Sequence, residues 1–272
     1  MYLGIDIGGT KTLVAALDDN GVIIESQKFP TPKDYLDFLS NLSETVDMFT
    51  TKDFWAVGVG IPATKINRQQ GIAYNFSHLP WHSVPIQADI EKLIGSPVAI
   101  ENDAKLAGLS EWMLRQEIKN LLYVTISTGI GYGLIVDGKI DPNIGDSGGT
   151  LLLLEHQGAL VPWENFASGR AIVETYNQQA HDITDPIIWS KIAKNISQGL
   201  IELIAVCEPD IIVIGGSVGT YFDRYGELLN QELQQYQTPL LTLPPVEQAK
   251  RPEEAVVYGC FDYAKQCFPK KP

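Results

Sequence analysis

The sequence predicts a mixed α/β chain built from two related halves, and three observations carry that expectation. Apolar, β-rich runs that end in glycine turns occur at residues 2–7, 121–126 and 211–214. Spaced apolar positions between them, over 33–50 and 191–206, suit amphipathic helices. The opening strand–Gly–strand pattern also recurs: at an offset of 121 residues, Tyr2 matches Tyr123, Ile5 matches Ile126, Gly8 matches Gly129 and Leu13 matches Leu134. Coincidence and duplication both account for four identities in so short a window. A duplication would give two related domains, each offering a glycine turn to a shared cleft.

The elements follow in order. Residues 2–7 form a strand broken by Gly8-Gly9, residues 12–17 a second strand, and Asp19-Asn20-Gly21 carries a hairpin signal before Val22-Ile23-Ile24. Tyr35, Leu36, Leu39, Leu42, Val46 and Phe49 mark a helix. Residues 55–61 read as a buried strand ended by Pro62, and 98–100 as another, after which Asn102 or Asp103 caps a helix running to Leu114. A helix over 191–206, a buried strand over 211–214, the turn Gly215-Gly216-Ser217 and a terminal helix from about Glu253 complete the chain.

Composition bounds the function. Of 272 residues, 20 are Lys or Arg and 33 Asp or Glu, a net charge of −13, which weighs against a nucleic-acid partner because such binding needs clustered cations. The acidity leaves an anionic ligand possible, since backbone amides at a glycine turn hold phosphate locally. Cys207, Cys260 and Cys267 form neither a disulfide framework nor a zinc pattern. No apolar run approaches a membrane span, and nothing at the N-terminus reads as a secretion signal, so the expected location is cytoplasmic, without a membrane partner.

Four segments could carry chemistry, and each has a plain alternative. Asp6-Ile7-Gly8-Gly9-Thr10-Lys11 combines a carboxylate, two glycines, a hydroxyl and an ammonium, the groups that hold a metal-bound polyphosphate. It is not a P-loop, since Thr10 stands where that motif needs lysine, and an ordinary hairpin accounts for it equally. Ser127-Thr128-Gly129-Ile130-Gly131-Tyr132-Gly133 suits phosphate oxygens or a tight hairpin. Glu101-Asn102-Asp103-Ala104 suits helix capping, the better reading in isolation, or a general base at a strand end. Gly215-Gly216 could admit a base or ribose, or simply join a strand to a helix.

The ordered set resembles the ROK family of sugar kinases and related repressors, within the actin/hexokinase/Hsp70-like superfamily. DIGGTK at 6–11, Gly60-Ile61-Pro62, NDA at 102–104, STGIGYG at 127–133, WENFASGRAI at 163–172 and GGS at 215–217 carry the resemblance. It implies two related ribonuclease-H-like domains around an interdomain cleft: residues 1–104, with a helix at about 253–268 packing back on them, and residues 105–252. It implies ATP-dependent phosphorylation of a hexose or N-acetylhexosamine at its primary hydroxyl, with Asp103 as general base. Asn102, Asp103, Asp146 and Glu164 would contact the sugar. Asp6 would orient Mg²⁺ or its waters. Gly8, Gly9, Thr10, Lys11, Thr128 and Gly129 would surround the phosphates, and Gly215 and Gly216 the nucleoside. A homodimer is implied as well.

The departures from the family pattern fall on the sugar side. Asp146 replaces a Glu, Gly149 a His, and Ala63 a Gly, while Glu155, Gln157 and Pro162 occupy the three cysteine positions of the family's zinc motif. No zinc is therefore expected, and His156 reads as a surface or core residue. Two alternatives to a kinase follow. A catalytically degenerate sugar-binding protein is motivated by the altered motif. A sugar-sensing repressor is disfavoured by the acidic charge and by a DIGGTK motif that starts six residues into the sequence.

Overall fold

In the computed structural model, which describes residues 1–251 and 254–270, the chain divides into two compact units. One is Met1–Ser110 with Glu254–Pro272, the other Glu111–Glu253. The division falls inside a helix, six residues beyond the 104/105 boundary expected from the sequence.

The first unit begins with β1 (Tyr2–Ile7), β2 (Lys11–Leu17) and β3 (Ile23–Pro30), an antiparallel meander. After α1 (Tyr35–Met48) come β4 (Ala56–Ile61), then β5 (Ala63–Asn67), β6 (Ile72–Phe76) and β7 (His82–Val84), which form a small antiparallel sheet. Then α2 (Ile86–Ile94), β8 (Val98–Asn102) and α3 (Asp103–Trp112) follow. The main sheet has the order β3-β2-β1-β4-β8, with β1, β4 and β8 parallel. Asp34 caps α1 by accepting from the amides of Leu36 and Asp37. The helix buries Phe38, Leu42, Thr45 and Val46, whereas Leu36, expected on that stripe, is 72% exposed. Two residues rotate a helix by about 200°, so Leu36 points away from the face that Phe38 defines.

The second unit opens with β9 (Asn120–Ile126), β10 (Ile130–Val136) and β11 (Lys139–Ile140), followed by the ribbon β12 (Leu153–His156) and β13 (Ala159–Pro162). Then come α4 (Glu164–Ala167), α5 (Gly169–Tyr176), α6 (Pro186–Cys207), β14 (Ile211–Gly215), α7 (Gly216–Gly219), α8 (Phe222–Gln234) and β15 (Val246–Gln248). The sheet order is β11-β10-β9-β14-β15, with β9, β14 and β15 parallel. Its core gathers Leu122, Val124 and Ile126 with Trp163, which precedes α4, and with Trp189, Leu200 and Tyr225 from the helices.

The terminal helix α9 (Ala255–Cys267) packs on the first unit's sheet through Val257, Phe261 and Ala264 against Tyr2, Leu13, Ala15 and Leu17. Its expected start at Glu253 lies outside the described residues. Gly58 permits the close approach, because a Cβ there would strike the backbone of Cys260. No helix among the described residues is long and apolar enough to cross a membrane.

The two sheets share one strand order and one pattern of directions, so the halves are related in topology. The offset of 121 is not their structural register, however. The pair nearest the turn is Ile7–Thr12 in the first hairpin and Ile126–Ile130 in the second, so β1 maps onto β9 at 119 and β2 onto β10 at 118. Leu13 and Leu134, matched by letter, therefore occupy opposite faces of equivalent strands, since an odd shift inverts the pleat. The position equivalent to Asp6 is Thr125: Asp6 stands beside Gly60 of β4, and Thr125 beside Gly215 of β14.

Candidate active site

Three parallel strands of the first unit end together. Asp6 of β1, Gly60 of β4 and Glu101 of β8 are level across the sheet. The chain leaves β8 directly into α3, and this junction sets the orientation of the ENDA segment. Asn102 caps the helix: its Oδ1 accepts from the amides of Ala104 (3.0 Å) and Lys105 (3.3 Å), while its Nδ2 donates to the carbonyl of Ala63 (3.2 Å). The capping alternative thus holds for Asn102, and a substrate contact would fall to the remaining Nδ2 hydrogen.

Asp103 is the first residue of α3 and is half-buried. Burial pushes its carboxyl up to about 6, although the amide of Ala104, 2.8 Å from Oδ1, favours the charged form. Asp6 is pushed up to about 7, first by burial and then by the charge of Asp103, with Lys28 acting in the opposite direction. The two carboxyls are therefore electrostatic neighbours, and their titration belongs to the pair.

Sequence reasoning named Glu101 within the motif but missed its partner. Arg68, in the turn between β5 and β6, holds the buried Glu101 carboxylate by two bonds, Nε to Oε2 at 2.7 Å and Nη2 to Oε1 at 2.5 Å. Oε1 also accepts from the amide of Asn102 at 2.7 Å. The residue before the helix cap is thereby immobilised.

The turn at Gly8 and Gly9 is held from behind. The Gly8 amide donates to the carbonyl of Lys11 (2.9 Å), the Thr31 hydroxyl to the carbonyl of Gly8 (2.8 Å), and the Thr31 amide to the carbonyl of Thr10 (3.0 Å). Thr10 and Lys11 are exposed.

In the second unit, Thr128 is exposed and Gly129 half-buried at the tip of the β9–β10 hairpin. Ser127 organises this end: its amide donates to the carbonyl of Gly129 (2.9 Å), its carbonyl accepts from the Gly169 amide (2.7 Å), and its Oγ accepts from the Ser217 amide (3.0 Å). The tips of β9, α5 and α7 thus meet at one serine. Gly216 lies beside them at φ +82°, where an added Cβ would come within 2.7 Å of the Thr125 and Ser127 hydroxyls.

Glu164, at the start of α4, reaches the same hairpin, its Oε2 accepting from the Ile130 amide at 3.4 Å. Arg170 Nη2 stands 3.7 Å from its other oxygen. Asp146 is half-buried in a loop whose far end, Gly149, presses on Ile130 and Glu164. A Cβ at Gly149 would fall 2.9 Å from Ile130 Cβ and 3.3 Å from Glu164 Cβ. His156 stacks flat on Phe166, with ring centroids 4.1 Å apart.

Among the described residues, no three or more His, Cys, Asp or Glu side chains stand together as a metal-holding group. A protein cage is not what Mg²⁺ requires, since that ion is commonly held by one or two carboxylates and substrate phosphates. Asp6, a half-buried carboxyl raised first by burial and then by a second carboxyl, fits that role chemically, because a cation there would stabilise its charged form.

The model of the ROK family matches residues 2–267. The glucokinase of Streptomyces coelicolor is 31% identical over 197 residues, with 66% of this chain covered; the chain spans only 60% of that relative's length. The N-acetyl-D-glucosamine kinase of Haemophilus influenzae is 28% identical over 298 residues, covering 95% of this chain and 97% of that one. Among solved structures, a ROK family glucokinase from Streptomyces griseus, in complex with glucose and AMPPNP, superposes with a TM-score of 0.81 at 20% identity. That superposition covers 97% of this chain and 99% of the other and is a likeness of fold.

Proposed function

Because the chain belongs to the ROK family, we propose that it is a sugar kinase that transfers the terminal phosphoryl group of ATP to the primary hydroxyl of a hexose or N-acetylhexosamine. The observation that carries this reading is Asp103: a half-buried carboxyl at the head of α3, raised to about 6, next to a second acid. A base near neutrality is ionised at working pH yet still able to take a proton.

In the proposed step, the sugar hydroxyl gives its proton to Asp103 as its oxygen forms a bond to the γ-phosphorus. The bond from that phosphorus to the bridging oxygen breaks, and ADP leaves with the electron pair. Asp6 would hold Mg²⁺ or its waters, and the ion would neutralise phosphate charge. The amides of Gly9 and Thr10, with Gly8, Lys11, Thr128 and Gly129 around the same groups, would receive the phosphates, and Gly215 and Gly216 the nucleoside. Asn102, Asp146 and Glu164 would orient the sugar. A cytoplasmic homodimer belongs to the same reading and rests on the family resemblance.

The names of the relatives make glucose and N-acetylglucosamine the first acceptors to test. ADP release would be followed with each, and with mannose and N-acetylmannosamine. Turnover that Asp103→Asn abolishes while sugar binding persists supports the kinase. Sugar binding with no turnover in the unaltered protein favours a degenerate binder, a reading motivated by Asp146 and by the pressed position of Gly149.

A further inference from the structure

Every carbonyl from Gly8 to Lys11 has a hydrogen-bond partner within the first unit. Lys11 O accepts from the Gly8 amide, Gly8 O from the Thr31 hydroxyl, and Thr10 O from the Thr31 amide. The remaining one, Gly9 O, lies 3.4 Å from Lys33 Nζ. That ammonium also donates to the carbonyl of His78 at 3.0 Å, and the carbonyl of Lys33 accepts from the buried Trp81 indole at 2.9 Å. Thr31 has one hydroxyl hydrogen, used on Gly8, so its 2.9 Å contact with the buried Thr12 hydroxyl has Thr12 as donor. Among the described residues, the amides of Gly9 and Thr10 donate to no protein atom.

We infer that Lys33, together with Thr31, is a positioning residue for the nucleotide's phosphates, working by drawing the turn's carbonyls inward so that the Gly9 and Thr10 amides are left for the anion. A phosphate bound to backbone amides is repelled by any carbonyl that swings toward it. Gly8-Gly9 has the freedom to let its peptides flip, so something must fix their direction. The two groups that do so lie together on the connection following β3, twenty or more residues from the turn in sequence. Lys33 is exposed and carries no glycine signature, and for that reason a reading of motifs passes over it.

The inference rests on the nucleotide reading above, and its test separates the two. Equilibrium binding of MgATP would be measured for the unaltered protein, K33M, K33R and T31V, together with KM for MgATP, KM for sugar and the melting temperature. K33M is expected to weaken MgATP binding and raise its KM by roughly tenfold, as for loss of a charged hydrogen bond. K33R, which keeps the donors, should stay within about threefold, and T31V should shift in the same direction as K33M. Sugar KM should hold; the melting temperature of K33M should move by no more than about 2 °C, whereas T31V, which strands the buried Thr12 hydroxyl, should melt several degrees lower. Unchanged MgATP binding in K33M overturns the inference, as does a loss that tracks the melting temperature in both K33M and T31V. An unaltered protein that binds no MgATP would instead remove the nucleotide reading itself.

Discussion

Arg68 clasps the buried carboxylate of Glu101 through two parallel bonds of 2.7 and 2.5 Å. The pair fastens the β5–β6 turn to the end of β8, two residues before Asp103. Truncating Arg68 to Ala leaves a buried charge without its partner, and the expected cost is about 3 kcal/mol in urea unfolding. The double replacement Arg68→Met with Glu101→Met should recover most of that stability, because it removes the stranded charge along with the pair. A double variant no more stable than Arg68→Ala would show that the pair's hydrogen bonds, rather than its charge balance, hold the turn.

Stability should fall as pH rises from about 4 to about 7. Asp103 and Asp6 are both raised in the folded state, so the fold binds more protons there than the unfolded chain does. Their contribution is full at acid pH and lost once each folded carboxyl ionises. Asp6→Asn and Asp103→Asn should therefore each stabilise the protein at pH 7.5, by on the order of 1–2 kcal/mol, and hardly at pH 4. Thermal melts across that range check the sign.

Turnover should run the other way. If Asp103 accepts the proton, kcat/KM for sugar rises with pH through an apparent value near 6 and levels above it. Because Asp6 titrates in the same range, the profile belongs to the pair. A flat profile between pH 5 and 8 would count against Asp103 as the base.

Restoring the family's histidine at Gly149 should not restore a family-like sugar site. A Cβ there sits 2.9 Å from Ile130 Cβ, so even Gly149→Ala must displace the β10 hairpin or the Glu164 backbone. The expected result is a loss of about 1–3 kcal/mol and a higher KM for sugar in both Gly149→Ala and Gly149→His. Calorimetry and steady-state kinetics on the two variants would reveal either outcome.

The sequence carried much of this fold because its strands announce themselves. Runs such as 211–214 and 56–61 are apolar on both faces, as parallel strands inside a sheet are. Helix starts were less legible. α6 begins five residues before its apolar spacing suggested, although Asp185-Pro186 is a capping signal that could have been used: Asp185 accepts from the Ile187 amide at 2.8 Å, with proline at the first position. The site divided along similar lines. Asp6, Asn102 and Asp103 sit at strand and helix ends, where motifs mark them. Arg68, Thr31 and Lys33 act through contacts with residues more than twenty positions distant, and no local pattern encodes such a pairing.

The two hairpins, alike in pairing yet unequal in turn length, limit what can be exchanged between the halves. Four residues separate the last paired positions of the first hairpin, Ile7 and Thr12, and three separate Ile126 and Ile130 in the second. A graft of β9–β10 in place of β1–β2 would put Tyr123 at the position of Gly4, where even a Cβ would come within 3.0 Å of Val257 on α9. It would also put a threonine hydroxyl where the acid stands, and its turn, one residue short, would not meet Thr31. Such a chimera would lose the seat of α9 together with the acid, so the two halves share a plan of strands and not an interchangeable hairpin.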